Sequence, residues 1–309
     1  MEKRYNSFSY KSFYGEHERI QKIIVNAGFT CPNRDGSKGI GGCTYCNNQT
    51  FSPQYCHTPK SVRKQIEEGI EFFRYKYNGQ KYLVYFQSYT NTYEKTEELI
   101  RLYEEALSYP MVCGLVIGTR PDCVSDDLLA YFAALAKTKY VMIEYGVEST
   151  CNDTLRFINR GHSYEETENT IIRTAENGIY TGAHLILGLP KESRETILGH
   201  ADKISKLPII ALKLHQLQLV KGTKMASQYA ENPAIFQLYS VDEYIELAID
   251  FLERLNPAIA IERFVSQSPK ELLIAPNWGV KNFEFIDKIN KRLAERDTFQ
   301  GRLWNLACK

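Results

Sequence analysis

The sequence lacks an excess of charge of either sign: 38 lysines and arginines stand against 37 aspartates and glutamates, a formal net charge of +1. No global field therefore selects nucleic acid or an anionic membrane, and only a local basic patch could do so. No run approaches the ~18 consecutive apolar residues of a membrane-spanning helix. Met1-Glu2-Lys3-Arg4-Tyr5 opens without the apolar core of a secretory signal. Low-complexity segments and internal repeats are lacking as well. These absences argue against a membrane protein and a disulfide-stapled secreted domain, and the expectation is a cytoplasmic protein with reduced thiols. With 309 residues, 43% hydrophobic and 24% charged, the chain suits one large domain, or one with a small appendage.

What is there begins with cysteine. Three of the eight cysteines, Cys31, Cys43 and Cys46, fall in one loop with the spacing C-x11-C-x2-C. Residues 22–27, just before them, read as a short buried strand. A strand delivering a cysteine- and glycine-rich loop is a metal-site signal. The count is informative. A [4Fe–4S] cluster has four irons, so three thiolates leave one iron open to a substrate or cofactor, whereas a four-cysteine cluster is closed and mainly carries electrons. Gly41 and Gly42 help the backbone wrap a bulky cluster, since glycine tolerates positive φ. Tyr45 is placed to shield the cluster or pack against a ligand. The alternative is a structural zinc site recruiting Cys56 or His57. Such sites usually present two close ligand pairs, and only one C-x2-C pair exists here. Cys56, Cys113, Cys123, Cys151 and Cys308 have no assigned role and read mostly as small buried hydrophobes.

Residues 1–20 carry Tyr5, Phe8, Tyr10, Phe13 and Tyr14 and read as an N-terminal extension packed on the outside. After a helix over 61–77, strands at 82–87, 114–118, 140–147, 183–188 and 210–217 alternate with helices. Apolar strands in alternation with helices argue a parallel α/β sheet, and six such strands suggest a barrel or partial barrel over 21–222. Residues 223–309 form a small α+β extension. It holds a loop from Gly222 to Pro233, a helix at 241–255, strands at 258–264 and 271–275 expected as antiparallel additions, and a basic helix at 282–296.

Polar residues interrupt the strands. If Val141, Ile143, Tyr145 and Val147 face the helices, Glu144 faces the lumen. The same parity turns His184, Lys213 and His215 inward, and Gln87 ends the second strand. α/β barrels place active sites at the C-terminal ends of their strands. Each polar group alone could be a hydrogen-bonded core residue, but several strands together suggest a lined cavity.

A further set of motifs is Gly28-Phe29-Thr30-Cys31-Pro32-Asn33-Arg34-Asp35-Gly36, Gly41-Gly42-Cys43-Thr44-Tyr45-Cys46, Phe86-Gln87-Ser88-Tyr89-Thr90-Asn91-Thr92-Tyr93, Gly118-Thr119-Arg120-Pro121-Asp122, Glu144-Tyr145-Gly146-Val147-Glu148-Ser149 and Asn159-Arg160-Gly161-His162. The strand segments His184-Leu185-Ile186-Leu187-Gly188-Leu189-Pro190 and Lys213-Leu214-His215 complete it. In these the chain resembles radical S-adenosylmethionine (SAM) enzymes of the elongator-catalytic-subunit-like subset, and more narrowly the YhcC/YtqA-type family, over nearly its whole length. The superfamily's commonest cluster motif is C-x3-C-x2-C; the longer first gap here is a feature of that subset. The elongator subunit's acetyltransferase domain is absent, so acetyl transfer is not implied.

The resemblance implies a partial (β/α)6 radical SAM barrel with the cluster at its open end. It implies that Cys31, Cys43 and Cys46 ligate three irons of a [4Fe–4S] cluster and that SAM chelates the fourth. One electron then breaks the sulfonium to give methionine and a 5′-deoxyadenosyl radical. By position, Gln87, Ser88, Thr90 and Asn91 would receive the methionine amine, and Arg160 the carboxylate, where a planar fork suits two oxygens. Glu144 would meet the ribose hydroxyls or the amine, Gly188 would let the backbone approach the nucleoside, and Tyr45 would flank the cofactor. His184, Lys213 and His215 would serve the substrate side. The implied substrate is a tRNA base, the side chain of a wobble uridine, with a reductant such as flavodoxin or ferredoxin as partner. The residues themselves add the basic C-terminal helix and the N-terminal aromatics, which could stack on bases. Two readings stand beside this one: a radical enzyme acting on a small molecule, lipid or porphyrin-like ring, and a non-catalytic metal-binding module.

Overall fold

The computed structural model describes residues 3–15, 17–50, 53–56, 60–74 and 80–304. In chain order its elements are α1 (Lys11–Tyr14), β1 (Ile20–Val25), α2 (Val62–Arg74), β2 (Lys81–Phe86), α3 (Thr96–Leu107), β3 (Val112–Thr119), α4 (Asp126–Ala136), β4 (Tyr140–Glu148), α5 (Asn152–Phe157) and α6 (Tyr164–Glu176). Then follow β5 (Tyr180–Leu187), α7 (Arg194–Ile204), β6 (Ala211–Gln216), β7 (Leu219–Val220), α8 (Lys224–Glu231), α9 (Val241–Arg254), β8 (Ala260–Arg263), β9 (Leu273–Ala275) and α10 (Asn282–Glu295).

Seven strands form one curled parallel sheet in the order β1-β2-β3-β4-β5-β6-β8. Strand parity divides its side chains. Val84, Ile117, Val141, Ile143 and Leu185 join the core shared with the outer helices. Leu83, Tyr85, Val116, Tyr140 and Met142 face the lumen. Ser125 caps α4, and Ser163 makes a capping box with Glu166 at the start of α6. These caps end the loops after β3 and β4 and so fix how far each loop extends over the sheet. Edge strands β1 and β8 do not pair with each other. Lys22 of β1 instead donates to Glu262 of β8 at 2.7 Å across the opening.

The partial barrel stands as expected, and the structure differs from expectation in its details. The six-strand barrel gains a seventh parallel strand: the 258–264 segment, expected to be antiparallel, pairs parallel with β6 through Ala260–Arg263. The crossover through α8 and α9 returns the chain in the same direction. Antiparallel pairing joins β7 to β9. The supposed loop at 222–233 contains α8.

The N-terminal segment is a plug rather than an outer layer. Phe8, Tyr10, Phe13 and Tyr14 pack on the lumenal core residues, with Phe13 5.1 Å from Tyr140 and 5.0 Å from Tyr180 between ring centroids. The backbone ahead of them lies along β8, where Phe8 N–H donates to Ile261 O and Ile261 N–H to Asn6 O. These rings are therefore spent on the bottom of the barrel. Two of the basic side chains at the C-terminal helix are also spent, while Lys288 and Lys291 stay exposed. Arg292 binds Glu246, and Arg296 reaches Glu246, Asp250 and Glu253 of α9. No helix among the described residues is long and apolar enough to cross a membrane. Cys308 and His57 lie outside the described residues.

Candidate active site

The cysteine loop is held by a turn from elsewhere in the chain. Asn33 donates through Nδ2 to the Arg160 carbonyl at 2.9 Å and contacts Cys43 Sγ at 3.6 Å. Asn159 donates to Gly42 O at 2.9 Å, and Thr44 N–H to Ile158 O at 2.9 Å. Gly161 allows the close approach: its φ is +80°, and a Cβ there would stand 2.3 Å from Asn33 Oδ1. The Asn159-Arg160-Gly161 turn is thus a bed for the loop. On the other side Met225 of α8 donates its N–H to Thr44 O.

Each of the three sulfurs has an N–H donor. Arg120 Nη1 lies 4.0 Å from Cys31 Sγ, Arg160 Nη1 3.6 Å from Cys43 Sγ, and Asn48 Nδ2 3.7 Å from Cys46 Sγ. Burial pushes the Cys46 thiol up to about 11, so its thiolate forms on metal binding rather than in the free chain.

The loop roofs a cavity of about 210 Å³ at the C-terminal ends of the strands. Of the expected residues, the structure brings Cys31, Cys43, Cys46, Tyr45, Gln87, Thr90, Glu144, Arg160, His184 and His215 to its wall. Four others are placed differently. Asn91 donates to the carbonyls of Phe86 (3.1 Å) and Gly118 (2.7 Å), clamping β2 to β3. Ser88 is buried and is not among the described lining residues. Gly188, at φ +93°, faces Tyr239, whose ring would be 3.0 Å from an added Cβ. Lys213 lies beneath the cavity.

Below the cavity is an ionic layer centred on Glu144, which is 1% exposed. Its carboxylate accepts from Lys22 Nζ at 3.0 Å, His184 Nε2 at 2.9 Å, Tyr85 Oη at 2.6 Å and from Lys213 Nζ. Burial alone would raise its pKa, but Lys213 and Lys22 hold it well below the usual carboxylate range. Burial draws the Lys213 ammonium down to about 8, against the pull of Glu144 and Glu262. Burial and then Arg263 push His215 well below its usual value. Arg263 Nη2 and His215 Nε2 are 2.6 Å apart, so a neutral imidazole accepting from the guanidinium satisfies both.

Arg120, Asn33, Glu148, Lys22, Tyr85 and Arg263 belong to the site without having been assigned roles from sequence. The first three lie inside motifs already noted, so the signal was present without a role. Glu148 sits at a bulge between β4 and β5, with φ +66° and its Oε1 3.8 Å from Arg160.

A cluster with a chelated cofactor fits these residues. Gln87 Oε1, Thr90 Oγ1 and Arg160 Nε are buried without hydrogen-bond partners, and all three residues border the cavity beside the cysteines. Buried polar groups are normally paired, so an acceptor, a hydroxyl and a guanidinium N–H are left for a ligand with amine and carboxylate groups. Among the described residues no three His, Cys, Asp or Glu side chains gather on one ion position.

The fold and this cavity define a radical SAM enzyme, and the chain belongs to that superfamily: the Radical SAM superfamily model matches residues 26–204 and the Radical_SAM C-terminal domain model residues 209–295. Within it the chain belongs to the YhcC/YtqA-type family. Uncharacterized protein YtqA of Bacillus subtilis is 33% identical over 98% of this chain and 94% of its own length. A tRNA uridine(34) acetyltransferase of Methanocaldococcus infernus is 27% identical over 57% of this chain and 33% of its own. The structure of the Methanocaldococcus infernus Elp3 lacking its N-terminus superposes with a TM-score of 0.67 at 17% identity, covering 93% of this chain and 67% of that one, a likeness of fold.

Proposed function

We propose that this radical SAM enzyme holds a [4Fe–4S] cluster on Cys31, Cys43 and Cys46, binds S-adenosylmethionine beside it, and acts on the wobble uridine of tRNA. The observation that carries the cofactor reading is the coincidence, in one cavity, of three cysteines and the unpartnered Gln87, Thr90 and Arg160 groups. Together the cluster and cofactor supply a carbon radical that takes hydrogen from a substrate. This chain's residues position and exclude water. Gln87 Oε1 would accept from the cofactor amine, Arg160 Nε would donate to its carboxylate, and Tyr45 would cover the cluster. The Glu144 layer forms a hydrogen-bonded floor in which His184 and His215 are held below their ordinary pKa.

The substrate is received in a second cavity of about 800 Å³, which shares Tyr85, Gln87 and Arg263 with the first. One wall is largely aromatic, with Ile24, Tyr55, Phe72 and Phe73 beside Glu68 and Glu71; the other carries Lys22, Lys213, Glu262 and Arg263. A flat heterocycle bearing oxygen acceptors matches both walls. Support for tRNA comes from the partial likeness to the uridine(34) enzyme. The small-molecule reading gains from a different observation: the N-terminal rings and the Arg292 and Arg296 charges, among the features that suggested RNA, are taken up by contacts within the fold. Mass spectrometry of tRNA nucleosides from cells with and without the gene separates the two. Loss of a wobble-uridine derivative, or a gain of its precursor, supports tRNA. Matching profiles would move the search to metabolites.

A further inference from the structure

We propose that Arg120 sets the reduction potential of the cluster, acting as a positioning residue through the Cys31 sulfur; this rests on the cluster assignment above. Arg120 is 2% exposed, an unusual place for a guanidinium. Its orientation is locked by a two-pronged bond to Asp122, Nε to Oδ1 at 3.0 Å and Nη2 to Oδ2 at 2.9 Å. The remaining nitrogen, Nη1, points to Cys31 Sγ. Lys38, a residue of the cysteine loop, returns to Asp122 Oδ2 at 2.6 Å. Asp122 therefore answers two cations with one negative charge, and the trio keeps one positive charge beside the sulfur.

The three cysteines are not treated alike. Cys46 has the Asn48 amide and the more exposed Arg34, which donates to the Cys46 carbonyl at 3.2 Å, and Cys43 shares Asn33 with Arg160, which also reaches Gly146 O and Glu148; of these arginines only Arg120 is locked by a two-pronged carboxylate. Hydrogen bonds to the sulfurs and local net charge tune iron–sulfur potentials. Buried charges are poorly screened. The reduced cluster carries one more electron, so a fixed cation at Cys31 favours it. Asp122 opposes that effect, and Lys38 offsets Asp122.

The test is an EPR-monitored redox titration of the anaerobically reconstituted holoenzyme without S-adenosylmethionine. In Arg120→Gln, the reduced-to-oxidised ratio at the wild-type midpoint should fall about tenfold, a midpoint drop of about 59 mV for a one-electron couple. Arg120→Lys should recover most of it. Asp122→Asn should move the midpoint upward, and Lys38→Ala, a change at a partly exposed side chain, downward. Opposite signs cannot come from a general loosening of the loop. If Arg120→Gln does not take up the cluster, the Asp122→Asn and Lys38→Ala pair decides. Reduced-to-oxidised ratios within twofold of wild type, or shifts of one sign, at full iron content overturn the inference alone. Failure of the wild-type protein to take up a four-iron cluster overturns the cluster assignment and this inference with it.

Discussion

Replacing Glu144 by glutamine tests whether the lumen floor is held by one carboxylate. The substitution keeps the shape and removes the charge that Lys22, Lys213, His184 and Tyr85 all address. Breaking a buried ion pair by removing one partner costs about 3–5 kcal/mol, because the other charge is left uncompensated. Here Glu262 remains, 2.7 Å from Lys22 and 3.4 Å from Lys213, so the loss should fall near the low end, about 3 kcal/mol. The new amide NH2 must also face donors, which leaves no cheap rearrangement. At roughly 2–3 °C per kcal/mol for a chain of this size, the melting temperature should drop by about 6–9 °C. Denaturant unfolding of wild type and Glu144→Gln, with the midpoint shifting at constant slope, measures it. A change below about 1 kcal/mol, the range of a solvated surface pair, would refute the reasoning, since the layer would then not depend on this charge.

Other changes test other parts of the molecule. Gly161→Ala puts a side chain at φ +80° and a Cβ 2.3 Å from Asn33 Oδ1; the chain should fold while iron bound after anaerobic reconstitution falls well below wild type, and full iron loading would contradict the bed assigned to that turn. Phe13→Ala should cost about 2 kcal/mol in denaturant unfolding, less than the ~3–5 of a fully buried phenylalanine because Phe13 is half-buried; no change would show that the plug is not packed. Burial and then Arg160 push His162 down to about 3. Between about 6.5 and that value the unfolded chain holds this proton and the folded chain does not, so stability falls on acidification by up to about 1.4 kcal/mol per pH unit. His162→Gln should show a shallower stability–pH slope in that window, and an unchanged slope would remove the histidine from the account.

Much of the fold was legible because strands and helices carry local periods. The alternation in residues 140–148 places Glu144 in the lumen, and its burial agrees. Ser125 before two aspartates marks the start of α4, where it accepts from Leu128 N–H. The features that escaped depend on partners distant in sequence. α8 has only a short apolar stripe, Met225 and Tyr229 one turn apart, in two turns of helix. The direction of β8 is set by pairing with β6 across some fifty residues, not by its own four. The acidic face of α9 that takes up Arg292 and Arg296 exists only once the two helices pair. The N-terminal rings have no period of their own; their complement is the inside of a barrel assembled from β2, β3, β4 and β6.

The same reasoning divides the site. Cysteine spacing needs only counting, and inward parity finds Glu144, His184, Lys213 and His215. Asn91 and Gly188 fell in matching segments; the Asn91 amide nitrogen clamps two carbonyls while its Oδ1 has no partner, and Gly188 lies beside Tyr239. A fully buried arginine such as Arg120 runs against the usual surface preference of its type. Its place is visible only when Asp122 and Cys31 are seen beside it.

The most direct measurement is anaerobic reconstitution with iron and sulfide, followed by EPR of the reduced protein with and without S-adenosylmethionine and by assay for methionine and 5′-deoxyadenosine. The account predicts a four-iron signal that changes when the cofactor is added, cofactor cleavage by the wild type, and loss of both in Cys43→Ala. A protein that takes up zinc but no four-iron cluster, or a reduced cluster that neither responds to the cofactor nor cleaves it, would contradict it.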